Sequence, residues 1–394
     1  MRAGHLSRLI VLLVGFLATA CGSATQPATP TAVQPAESFI TLAATVVAIA
    51  AQPTSTDTPL PAPTATPTTA PTDTPTPPPA TPELRQLTEG GCCVQPFFSP
   101  DGQQVLFIDK PDPAAPAGIY GVEVSNPPAA PVLVDEVIGF RSPDRTTVAT
   151  MDGDLARFVN EATGESWAVD TGGNWPRYSL DGQQIMWEAR DQEGPYDLRQ
   201  TDIWLADLRG DNPRLVTTVT GGGSVGWLPD SRRIGLVTRE VQGEEAQTLS
   251  ILDVTTGQQT KLVRDKRIRG IEISPGGSWI VYFVTFSDTS GNSGIWVANP
   301  EGTVVQKLNV PAFGAYHWRN DTSLIFIPMR ESAETSMQLW QVDVVANESR
   351  PLTDPNSQVF SISNGDWTVA PDGNSVIFVN SADQNIWLIA LDNP

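Results

Sequence analysis

Two histidines, three cysteines and 44 acidic side chains are the groups in this 394-residue chain from which catalysis or metal binding would be built. Such chemistry needs several of them held at fixed spacing. His5 lies in an N-terminal apolar leader, which leaves only His317, in Tyr316-His317-Trp318, so a multi-histidine metal site cannot form. No Gly-x-Ser-x-Gly elbow follows the repeat region described below, as a propeller-gated serine peptidase would require. Asp288-Thr289-Ser290-Gly291-Asn292 alternates oxygen side chains as some calcium loops do, but it lacks the glycine at the sixth position and the closing glutamate. The sequence therefore calls for no metal and no cofactor. Chemistry resting on carboxylates alone stays open, with no pair standing out. Cys92 and Cys93 are adjacent. In an exported chain they form a vicinal disulfide, remain two free thiols, or pair between molecules.

What must position any site is a repeat. A turn of the form small-Pro-Asp-Gly recurs at Ser99–Gly102, Ser179–Gly182 and Ala370–Gly373, with degenerate copies at Ser142–Arg145, Leu228–Ser231, Ser274–Gly277 and Arg319–Thr322. Proline presets the turn dihedral, aspartate bonds back onto the turn backbone, and glycine accepts positive φ. A β-branched and aromatic run follows each turn, such as Val105-Leu106-Phe107-Ile108 or Val376-Ile377-Phe378-Val379. A third run carries a recurring aromatic, as in Ile203-Trp204, Ile295-Trp296, Leu339-Trp340 and Ile386-Trp387. Copies spaced by roughly 40–50 residues match the four-stranded blade of a β-propeller. The expected fold is all-β, with seven blades favoured and six as the alternative if the short second repeat merges with its neighbour. The last repeat lacks a fourth strand, and Leu84-Arg85-Gln86-Leu87-Thr88 reads like one, so the N-terminal strand is expected to close the ring.

These turns and Ile-Trp strands resemble the TolB-like family of bacterial propellers over residues 84–394. The resemblance implies the fold and, by analogy with a periplasmic binding partner, a role in binding rather than chemistry. Loops entering the first strand of each blade converge on one face of such a ring. There the candidate ligand face is Asn174, Trp175, Arg267, Arg269, Tyr316, His317, Asp366 and Trp367. The loops Arg190–Arg199, Ser287–Ser293 and Arg330–Ser336 are expected to open on the same face. The repeated tryptophans at 204, 296, 340 and 387 are expected to pack between blades.

The rest of the chain is address and tether. Arg2 and Arg8 precede an apolar run over 9–20, too short to span a bilayer and flanked as a secretory signal is. Leu17-Ala18-Thr19-Ala20-Cys21 resembles the lipobox of bacterial lipoproteins, which implies lipidation at Cys21; cleavage near Ala20 by an ordinary signal route is the alternative. Between Pro27 and Pro82 lie 14 of the 35 prolines and no lysine or arginine, a composition that forms a semi-rigid polyproline stalk instead of a core. The expected organisation is a signal over 1–20, a disordered stalk over 21–83 and a propeller over 84–394. The propeller carries 40 acidic against 22 basic residues, which excludes nucleic acid as a partner and by itself favours cationic or neutral ligands. The sequence thus reads as an exported, membrane-anchored, monomeric module that binds an envelope or extracellular protein, a peptide or a glycan. A carboxylate-dependent glycan hydrolase or lyase is the alternative.

Overall fold

The structure is a computed structural model, and it describes residues 82–91, 94–125, 127–311, 313–330 and 336–391. Cys21, Cys92, Cys93, the leader and most of the stalk lie outside these residues. The described chain forms seven antiparallel four-stranded sheets and one short 3-10 turn, so the ring has seven blades and the six-blade alternative is excluded. The second repeat is a complete blade, from Phe140–Arg141 to Ser166–Asp170.

Within each blade the chain runs from the inner strand outward, and the recurring turn joins the first two strands. Its hydrogen bonds explain its residue types. The Ser99 hydroxyl donates to Asp101 at 2.6 Å, Asp101 accepts the Gln103 N–H at 3.1 Å, and the Gln104 N–H donates back to Ser99 Oγ at 3.0 Å. Ser142–Asp144 and Ser179–Asp181 repeat the contact at 2.5 and 2.6 Å. Gly102, Gly182 and Gly373 sit at φ of 69°, 69° and 74°, a region costly for any side chain. The hydroxyl and amide contacts with Asp101 hold its carboxyl below the usual range.

Second strands are buried on both faces because each is sandwiched between blades. Val105, Phe107, Ile377 and Val379 form one cluster across the seam between the last blade and the first. Val281, Ile295, Phe326 and Val342 fill the seam between the fifth and sixth. The third-strand tryptophans pack in these seams as the repeat suggested. Trp204 stacks on Trp187 with centroids 6.2 Å apart, while Trp296, Trp340 and Trp387 are half-buried against their clusters.

Closure follows the N-terminal strand. Glu83–Gln86 pairs antiparallel with Ile386–Ala390, Leu84 opposite Ile389 and Gln86 opposite Trp387. Leu87 is fully buried, and its N–H donates to the Ile386 carbonyl at 2.8 Å. Arg85 reaches the Val124 carbonyl of the first blade at 2.8 Å, so this strand ties both sides of the closing seam.

Candidate functional site

Solvent reaches an innermost strand only from the central channel, so exposure on these strands identifies the channel wall. One position is open to solvent, partly or fully, in every blade, two residues before the first residue of the turn, although Gln95, Arg269, Gly270, Ala315 and Gly365 are exposed on inner strands as well. It is Phe97 opposite Leu106, Phe140 opposite Ala149, Arg177 opposite Met186, Gly226 opposite Gly235, Glu272 opposite Val281, His317 opposite Ile325 and Thr368 opposite Ile377. Phe97 is 36% exposed, Phe140 50%, and Arg177 is exposed, with the others half-buried. Their strand neighbours alternate inward between blades, as period-two geometry demands: Trp227, Tyr316, Trp318 and Trp367 are all buried. The channel wall is thus aromatic at the first two blades, cationic at the third, open at the fourth, and occupied by Glu272 and His317 at the fifth and sixth.

A cavity of about 300 Å³ opens beside the third blade. Phe140 and Trp175 form its aromatic wall, centroids 5.0 Å apart and planes tilted by 55°. Trp175 stands on the loop after Ser166–Asp170, and the Asn174 amide braces that loop by donating to the Thr171 carbonyl at 2.8 Å and the Gly172 carbonyl at 3.1 Å. Arg177 lines the same cavity. Glu188 closes it from the second strand, where one carboxylate oxygen accepts both the Ser224 N–H and the Ser224 hydroxyl at 2.6 Å and the other accepts from Arg190 at 3.2 Å. A second cavity of about 520 Å³ shares Asn174 and Trp187 and continues along the seam between blades two and three past Arg190, Gln192 and Trp204.

Ser224 lies in Gly222-Gly223-Ser224-Val225-Gly226, a Gly-x-Ser-x-Gly spacing inside the repeats. It is not a nucleophile elbow. That device needs a strand-to-helix turn and a histidine partner, whereas Ser224 is within the strand Gly223–Trp227 and gives its proton to Glu188. The glycines serve packing. A Cβ on Gly222 would sit 1.9 Å from the Val237 carbonyl oxygen, and one on Gly223 would sit 3.0 Å from both Glu188 oxygens.

Across the channel, His317 Nδ1 meets Glu272 Oε1 at 2.9 Å, and its ring lies 4.4 Å from that of Trp367. Tyr316 is 4% exposed and donates to the Gly270 carbonyl; burial, with the Glu272 charge second, pushes its phenol well up, so it stays a donor. Arg267 lies 4.9 Å from the ring centroid of Phe286, and Arg269 and Asp366 have no hydrogen bond or ion pair from their side chains among the described residues. Of the eight sequence-predicted ligand residues, only Asn174 and Trp175 line the cavity, while His317 and Trp367 touch each other. Tyr316 and Trp367 belong to the packing between blades. Sequence reading missed Phe140, Arg177, Glu188 and Ser224. Counting back two residues from each turn would have found the first two.

The loop at 288–292 holds lysines where a cation would sit. Asp288 pairs with Lys266 at 2.7 Å, and Lys307 donates to the Gly291 carbonyl at 2.6 Å. Among the described residues no group of three His, Cys, Asp or Glu side chains is placed to hold a metal. Every aspartate or glutamate whose titration is displaced is displaced downward, by hydrogen bonds from neighbours or by adjacent cations that outweigh burial.

No protein-family model matches the sequence, and no curated protein matches it. Solved structures match in fold. An oligogalacturonate lyase from Vibrio parahaemolyticus aligns at 14% identity over 79% of this chain and 97% of its own, with a TM-score of 0.56. An oligogalacturonate lyase in complex with manganese aligns at 14% identity over 80% of this chain and 97% of its own, also at 0.56. A putative TolB from Agrobacterium tumefaciens aligns at 19% identity over 64% of this chain and 89% of its own, at 0.38. At these identities the likeness to the lyases is one of fold alone.

Proposed function

We propose that this propeller is a non-catalytic binding module and that it takes a glycan at the channel mouth beside the third blade. The observation that carries this is the exposed aromatic pair Phe140 and Trp175 standing over a cavity with fixed polar groups. Tilted aromatic walls give an apolar face to a sugar ring while Asn174, Arg177 and Glu188 supply directional partners. The adjoining second cavity extends the surface to several sugar units.

The likeness to oligogalacturonate lyases supports the competing reading, an enzyme acting on glycans. Its chemistry finds little footing in these residues. The manganese named with one neighbour has no matching donor set among the described residues, where His317 is the single histidine and its Nδ1 faces Glu272. Acid–base cleavage by paired carboxyl groups requires two within about 5–10 Å, one of them held protonated. The cavity is lined by one, Glu188, and both of its oxygens are occupied. The same proposal includes a lipid anchor at Cys21 and a stalk that hold the module facing the envelope or the exterior, a reading supported by the lipobox-like and proline-rich sequence.

A glycan array probed with the full chain tests this reading. Trp175→Ala and Phe140→Ala should each weaken the retained glycan about tenfold, the worth of one lost aromatic wall. Unchanged binding in both variants, or capture of an envelope protein in place of any glycan, refutes it.

A further inference from the structure

The acidic excess of the propeller favours a cationic or neutral partner, yet the channel mouth departs from it. Eight described arginines form ion pairs with carboxylates. Arg177 and Arg269 form none and make no side-chain hydrogen bond among the described residues, and both are exposed on inner strands at the mouth. Arg177 is the more constrained of the two. It lines the aromatic cavity, it has Phe140 on one side in the channel ring, and on the other it has Gly226, around which a Cβ would find no atom within 4 Å. Its guanidinium therefore borders open space with no internal acceptor, next to an apolar wall that suits a sugar ring.

We infer that the ligand is an acidic oligosaccharide whose anionic group is held by Arg177 while its ring lies against Phe140 and Trp175. This rests on the binding reading above and adds the ligand's charge. A guanidinium offers two parallel N–H donors to a carboxylate or phosphate and keeps its charge at every physiological pH. The surrounding acidic surface repels polyanions at large, so selectivity for an anion comes from contact at Arg177, not from long-range attraction.

Calorimetric titration of the full chain with matched oligosaccharides tests the inference. The probes are β-1,4-glucan and β-1,4-mannan hexamers, each as the neutral sugar and as the C6-carboxylate, with a glycerol-phosphate hexamer to distinguish phosphate from carboxylate. The carboxylated or the phosphate form should bind about tenfold to a hundredfold more tightly than the neutral sugar, the range of a charge-assisted contact. Arg177→Gln should remove that preference by costing the acidic form about tenfold to a hundredfold more than the neutral one, while Trp175→Ala should weaken both alike. Equal affinity for neutral and acidic forms overturns this inference and leaves the binding reading standing. Persistence of the preference in Arg177→Gln also overturns it, whether or not Arg269→Gln removes it. Binding of hexaglutamate with the same dependence on Arg177, and of no sugar, overturns the glycan class. Failure of every probe and of the glycan array removes both readings.

Discussion

Asp321→Ala should destabilise the propeller from a position in the wrong blade. The turn Ser274-Pro275-Gly276-Gly277 lacks the aspartate that its counterparts carry, and Gly276 stands in that place. Asp321, in the turn of the next blade, supplies the missing carboxylate. It accepts the Ser274 hydroxyl at 2.5 Å, the Gly276 N–H at 2.9 Å and, more weakly, the Ser278 N–H at 3.4 Å. Its own turn is one residue shorter, and Asn320 takes the aspartate's part there by accepting the Thr322 and Ser323 N–H groups at 2.9 Å. Ser274 is 1% exposed, so removal of its acceptor leaves a buried hydroxyl proton unpaired in addition to the lost amide contacts. With about 1 kcal/mol for each good contact and 1–2 kcal/mol for the stranded hydroxyl, the loss is about 2–4 kcal/mol. For a domain of this size that lowers Tm by about 3–6 °C in calorimetry. Burial raises the Asp321 pKa, but its hydrogen bonds outweigh that and hold it below the ordinary value. The stabilisation is therefore full above the unfolded carboxylate range near pH 4 and fades as pH falls through the folded value. The variant's deficit should shrink in step. A Cβ on Gly276 would lie 2.8 Å from the Asp321 carboxyl carbon, so Gly276→Asp should destabilise the wild type and rescue Asp321→Ala by restoring the turn's own carboxylate. Wild-type stability in Asp321→Ala at neutral pH, or equal harm from Gly276→Asp in both backgrounds, refutes the exchange.

Three other outcomes follow from the same structure. Deleting residues 83–88 should leave Ile386–Ala390 as an open edge and uncover the pocket of Leu87, seen as association in size-exclusion chromatography and a lower Tm; an unchanged monomer would show that the strand is dispensable. Gly222→Ala should cost about 4 kcal/mol or more in chemical denaturation because its Cβ would strike a backbone oxygen, whereas Gly153→Ala, at φ of 60° with open space around it, should cost about 1 kcal/mol. Cys21→Ser should move the chain from the membrane fraction to the soluble fraction after cell breakage, and retention at the wild-type level counts against lipidation there.

The blade count and the ring closure were legible in the sequence because both depend on local chemistry. A Ser-Pro-Asp-Gly turn carries its own hydrogen bonds, so its residues recur whatever surrounds them. Even the degenerate copies follow this logic. Arg145 and Ser231 occupy the glycine position at φ of 59° and 54°, and the fifth turn borrows its carboxylate from the sixth. The second repeat looked incomplete because two of its strands are short in residues that mark a blade, not because a strand is missing. Its inner strand is only Phe140–Arg141, and its second strand is Thr147–Asp152, with Ala149 where five of the six counterparts carry larger side chains.

The candidate site was harder to read because inner strands break period. Their pairing slips between Val94 and Phe97, Ser224 and Gly226, Arg269 and Glu272, and Ile362 and Trp367. Each bulge reverses the faces of the residues beyond it, so alternation counted from a loop into the strand assigns the wrong face. Trp367 lies beyond such a slip, whereas the strand of Tyr316 pairs without one. Counted from the turn, where no slip intervenes, the same position faces the channel in every blade, and the chemistry at those seven positions can be compared directly. Phe97, Phe140, Gly226 and Thr368 carry no charge, and Glu272 is met by His317. Arg177 is the exception, a fixed charge between a phenyl ring and a glycine. No hydrogen bond or ion pair among the described residues holds its side chain, so the proposed charge of the ligand is tested at this residue.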